Sequence, residues 1–145
     1  MDCSREDRPD GRPDLCASLA DIYGWSREPS GFQSGLVLRC ERLAITPLRQ
    51  FQPGDLRVML GQQFAPEILV PMALDLLEAN PLLDAELFEG DLLSMVLYQE
   101  LAIWRDRPHL LFRVRQIIDQ NPLEEAPQHV QTAISDFYAR IVSLG

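Results

Sequence analysis

The stretch APEILVPMALDLLEA, about Ala65 to Ala79, constrains this chain more than any other. Read as a helix, it is apolar nearly all round: Ile68, Leu69, Val70, Met72, Leu74, Leu76 and Leu77 between them cover most of the circumference. Its charged residues, Glu67, Asp75 and Glu78, fall within about 80° of one another on a helical wheel, and Pro71 lies in the same arc. A helix of this kind cannot stand at the edge of a fold. It must be covered by other elements on every side except one narrow acidic stripe. Asn80-Pro81 ends it.

The elements that cover it are legible as helices. Asp14 is placed to cap a short helix with Leu15, Leu19 and Ile22 on one face and Gly24 as its stop. Ser34 is an N-cap for a second helix, with Leu36, Val37, Cys40, Leu43 and Ala44 on one side and Arg39, Glu41 and Arg42 on the other. Gln52-Pro53-Gly54-Asp55 opens a third, with Pro in the first turn and an acid near the positive end of the dipole. A fifth runs from Asp91 to about Trp104, a sixth opens at Pro108, and a seventh covers about Pro127 to Leu144. No segment alternates with period two. The expected fold is all-α, a single-domain helical bundle or orthogonal array of about six or seven helices over residues 15–145. Residues 1–14, polar and rich in Arg, Asp and Pro, read as a disordered N-terminal tail.

Charge narrows function. The chain of 145 residues carries 22 acids against 13 bases, every base is Arg, and the net charge is −9. Direct nucleic-acid binding needs a basic face, so it is disfavoured, as is an anionic membrane surface. A basic protein partner fits, though plain solubility also accounts for such a charge. The N-terminus lacks the apolar core of a secretory signal, which predicts a cytoplasmic protein. Cys3, Cys16 and Cys40 form no CxxC pair, and their odd number predicts reduced thiols. His109 and His129 have no acid or nucleophile at motif spacing. With no Lys, Schiff-base chemistry and a P-loop lysine are impossible. No cofactor, metal or catalytic residue is indicated.

Two features resist a bland reading. Between Arg57 and Arg105 there is no base but eight acids: Glu67, Asp75, Glu78, Asp84, Glu86, Glu89, Asp91 and Glu100. Asp91 reads as a cap. The rest form either a solvated face or a docking surface for a basic partner, for which Glu67, Asp75, Glu78, Asp84, Glu86 and Glu89 are the candidate residues. The second feature is Glu100. On a continuous fifth helix it projects from the apolar arc of Leu93, Val96, Leu97, Ile103 and Trp104. It must then pair with an Arg, Arg57 or Arg105 being candidates, unless the helix frays before it.

Several spaced motifs share a family resemblance: Asp55-Leu56-Arg57 with Gly61-Gln62, Leu69-Val70-Pro71 with Ala73-Leu74, Asn80-Pro81, and Glu89-Gly90-Asp91-Leu92-Leu93. Over roughly residues 35–97 the chain resembles the immunity proteins of bacterial contact-dependent growth inhibition (CDI) systems. The resemblance implies a cytoplasmic protein that binds and neutralises the toxic C-terminal domain delivered by a neighbouring cell. Such a domain is often a nuclease with a basic active-site surface. It implies no catalytic residues. The motif residues read as scaffold: Gly61 and Gly90 as turns, Pro71 and Pro81 as kink and stop, Asp91 as cap. The alternative is a helical adaptor or structural interaction module with a non-toxin partner.

Overall fold

A computed structural model describes residues 14–28, 30, 31 and 34–144. The expected tail, apart from Asp14, lies outside these. Among the described residues eight α-helices follow one another: α1 (Leu19–Tyr23), α2 (Gly35–Ala44), α3 (Pro53–Gly61), α4 (Pro66–Ala79), α5 (Asp91–Leu97), α6 (Leu101–Asp106), α7 (Pro108–Asp119) and α8 (Gln128–Ile141). Short 3-10 turns occupy Leu48–Gln50 and Val142–Leu144, and no strand occurs among the described residues. The protein is all-α.

Local chemistry explains most of the starts. Ser18 and Asp21 form a reciprocal capping box at α1, the Ser18 hydroxyl accepting from the Asp21 amide at 3.1 Å and the Asp21 carboxylate from the Ser18 amide at 3.0 Å. Asp14 does not cap this helix; it accepts from the Cys16 amide in the turn before it. The Ser34 hydroxyl accepts from the Val37 amide at 3.1 Å, as an N-cap should. Of the expected inward face of α2, Cys40 and Leu43 are buried, while Leu36 is 47% exposed. Pro53, Pro66 and Pro108 each stand in a first turn, where the missing N–H has no helical partner to lose.

The central helix is α4. Leu69, Val70, Ala73, Leu74 and Leu77 are fully buried, and α3, α5 and α7 pack around it. The second axis is α5, held between α3 and α8. Trp104 of α6 and Phe137 of α8 meet edge to face with centroids 5.5 Å apart.

The turn between α3 and α4 is strained. Gln63 (φ 61°) and Ala65 (φ 45°) are left-handed without being glycine. Gly61, expected to make this turn, is instead the last residue of α3. A Cβ there would lie 3.2 Å from Met95 Cε, so its smallness lets α5 come close.

The expected fifth helix is two. It stops at Leu97 and resumes at Leu101, with Glu100 extended (ψ 147°) as the cap of α6 and exposed to solvent. Glu100 therefore needs no arginine partner, and its expected burial is corrected. Gln99, 4% exposed, takes the inward place, its amide donating to the carbonyls of Leu60 at 3.2 Å and Met95 at 3.1 Å. Arg140 on α8 donates to the carbonyls of Leu97 and Gln99, satisfying acceptors that a helix end leaves open. The break is a tertiary product, supported by a residue 41 positions beyond Gln99.

The expectation of reduced thiols also fails at one position. Cys16 is disulfide-bonded. Cys40 is a free, buried thiol, and burial raises its pKa. An odd count requires one unpaired thiol and does not forbid a pair.

Candidate partner-binding site

The loop between α4 and α5 is rigid because of one carboxylate. Asp91 stands in the first turn of α5, where the helix dipole favours a negative charge. Its side chain is 1% exposed and accepts from three loop amides: Ala85 at 2.8 Å, Glu86 at 3.1 Å and Leu87 at 2.9 Å. Burial pushes its pKa up, but the amides of Leu87, Ala85, Glu86 and Leu92 together outweigh that and hold it below the ordinary value. The expected cap is thus inverted. Gly90 occupies the cap position, and Asp91 gathers the preceding loop onto the helix. Gly90 is required there twice over: its φ is +82°, and a Cβ would lie 2.4 Å from Val130 Cγ2 on α8. An antiparallel bridge between Asp84 and Glu89 closes the loop.

Glu86 leaves this loop towards α2 and α3. Arg39 grips it with two bonds, Nη1 to Oε1 at 2.8 Å and Nη2 to Oε2 at 2.7 Å, and also donates to Asp55 at 3.0 Å. Arg57 Nη2 adds a bond to Glu86 Oε1 at 3.2 Å, while its buried Nε faces Asp91 Oδ2 at 3.8 Å without a hydrogen bond. The Arg39 hydrogen bonds, reinforced by Arg57, bring the Glu86 pKa down to about 2. Gly54 admits the arrangement, since a Cβ there would lie 2.3 Å from Glu86 Oε2.

The six candidate acids therefore separate into three settings. Glu67 accepts from the Tyr23 hydroxyl. Asp75 and Glu78 share Arg113 of α7, at 2.8 Å and 2.7 Å. Asp84, Glu86 and Glu89 share the loop. The stretch without bases is not without bases in space, because Arg39, Arg57 and Arg113 arrive from outside it. Asp84 and Glu89 are exposed and form no ion pair among the described residues.

Beside the loop lies a feature that the charge pattern did not indicate. A groove of about 620 Å³ runs between α5 and α8, lined by Leu87, Phe88, Met95, Tyr98, His129 and Thr132 among others. Leu87 is 61% exposed, Phe88 43% and Tyr98 49%. Phe88 stacks edge-on against His129 at 4.4 Å, and His129 Nε2 lies 3.0 Å from the Glu89 carbonyl. The Tyr98 hydroxyl donates to Asp136 at 3.3 Å and its ring lies under Arg140. The available signal was Leu87-Phe88, two large apolar residues between Glu86 and Glu89 in a loop.

Among the described residues, no group of three or more His, Cys, Asp or Glu is placed to hold a metal ion. No described helix is long and apolar enough to cross a membrane. A family model described as CDI immunity proteins matches residues 21–114. That is well over half of the 145 residues. The chain belongs to this family. The matched span of this CDI immunity protein covers the Arg39, Asp55, Arg57, Glu86 and Asp91 network and Arg113. It stops before α8, the second wall of the groove. No curated protein and no solved structure matches the chain significantly.

Proposed function

We propose that this protein binds the toxic C-terminal domain of a CDI effector and neutralises it by stoichiometric occlusion in the cytoplasm of the cell it protects. The observation that carries this reading is membership of the CDI immunity family across residues 21–114. The toxin is a nuclease with a basic active-site surface, the partner that a net charge of −9 suits best. The protein acts without cofactor or turnover and touches neither nucleic acid nor membrane.

Glu67, Asp75, Glu78, Asp84, Glu86 and Glu89 supply part of the toxin-facing field. Their contributions are unequal. Asp75, Glu78 and Glu86 spend most of their charge on Arg113, Arg39 and Arg57, whereas Asp84 and Glu89 keep theirs for a partner. Charges of this kind raise association rate and specificity more than they lower dissociation. The test is co-purification with the C-terminal toxin domain encoded directly upstream, followed by a nuclease assay of the complex. A stable complex without nuclease activity is expected. A toxin domain that neither binds this chain nor loses activity in its presence overturns the reading.

A further inference from the structure

We propose that the groove between α5 and α8 is where the toxin is anchored. It takes one aromatic or aliphatic toxin side chain flanked by Lys or Arg. This inference rests on the toxin-binding reading above and adds the place and the chemistry of the contact.

The groove's apolar character comes first. Leu87, Phe88 and Tyr98 are all among the large apolar residues left exposed, and they converge on one concavity with Met95. Scattered apolar residues on a surface need no explanation, but several meeting in a cavity of a size that holds a large side chain mark an interaction site. Anchors at interfaces are typically aromatic residues seated in such pockets.

Rigidity comes next. Asp91 fixes the main chain of residues 85–87 by three hydrogen bonds, and Gly90 is pressed against Val130. Phe88 is held by its stacking on His129. The α5 wall and the α8 wall are thus tied together before any partner arrives, which reduces the ordering cost of binding.

Charge decides the occupant. Asp136 borders the groove through its bond to Tyr98, and Glu89 follows Phe88 directly in the chain; neither forms an ion pair among the described residues, whereas Glu86 is already held by Arg39 and Arg57. Arg57 is already engaged by Glu86 and Asp91, and Arg140 by carbonyls at the end of α5. The rim therefore presents more free carboxylate than free guanidinium. An apolar residue with basic neighbours satisfies both floor and rim, whereas a second copy of this acidic chain would bring like charge against like.

The experiment uses the full chain and the purified C-terminal toxin domain encoded directly upstream, with binding followed by surface-immobilised kinetics. Thr132 is exposed on the α8 wall, so Thr132→Arg blocks the groove without removing a core contact. A Leu87→Ser, Phe88→Ser double variant removes the apolar floor, and Phe112→Ser on α7 removes another exposed aromatic away from the groove. The proposal expects each groove variant to dissociate about a hundredfold faster with an unchanged circular-dichroism spectrum, and Phe112→Ser to behave as wild type. Wild-type dissociation rates in a folded Thr132→Arg variant overturn the groove proposal and leave the toxin reading standing. So does a wild-type dimer that Thr132→Arg breaks while toxin binding persists. A wild-type chain that does not bind the toxin domain at all overturns the toxin reading and the groove proposal together.

Discussion

The Glu86 carboxylate meets the Arg39 guanidinium end-on, both oxygens paired with both terminal nitrogens, at 2.8 Å and 2.7 Å. The two residues are 47 positions apart, and the contact ties the α4–α5 loop to α2. Glu86 has its pKa lowered from 4.5 to about 2, so its contribution to stability is fully present above pH 4.5 and is lost as pH falls towards 2. Its side chain is 36% exposed, and solvent screening limits the contribution to about 1 kcal/mol. Glu86→Gln should lower stability at pH 7 by that amount and have little effect near pH 2. Urea melts across this range check it.

Asp91 carries more. Replacing it with Ala leaves the amides of Ala85, Glu86 and Leu87 unpaired and Arg57 without its buried counter-charge. The expected loss is about 3–5 kcal/mol, measured by denaturant melts. A loss below about 1 kcal/mol would mean that water satisfies these groups and that the loop is not built on Asp91.

Two glycines with positive φ separate strain from crowding. At Gly24 (φ +69°) a Cβ meets nothing, and Gly24→Ala should cost about 1 kcal/mol from backbone strain alone. At Gly90 the added methyl also collides with Val130, and Gly90→Ala should cost about 3 kcal/mol. Equal thermal shifts for the two variants would remove the close approach of α5 and α8 from the account.

The field of the loop is tested at Asp84 and Glu89, because reversing Glu78 or Glu86 would also break an ion pair. Asp84→Lys with Glu89→Lys should slow association with the toxin domain about tenfold at low salt, with a smaller effect at high salt and an unchanged melt. An on-rate equal to wild type would make the loop acids a solubilising face only.

What could be read from the sequence, and what could not, follows from the range of the interactions. Ser34, Pro53, Pro66 and Pro108 announce helix starts because a cap or a first-turn proline acts within one turn of its own position. The burial of α4 follows from its apolar circumference. The interruption at Gln99 depends on Arg140 and on the Leu60 carbonyl, both remote in the chain, so local periodicity ran straight through it. The acids were found, but their partners Arg39, Arg57 and Arg113 lie outside the stretch that made them conspicuous. The groove escaped because its floor is shared between a loop and a helix about 40 residues apart.

The most direct test of the account is a titration of the toxin domain's activity with increasing amounts of this protein at concentrations far above their dissociation constant. Stoichiometric occlusion predicts a linear fall that reaches zero at one immunity protein per toxin. Loss of activity at a small fraction of that ratio would contradict it, because the protein would then be acting by turnover.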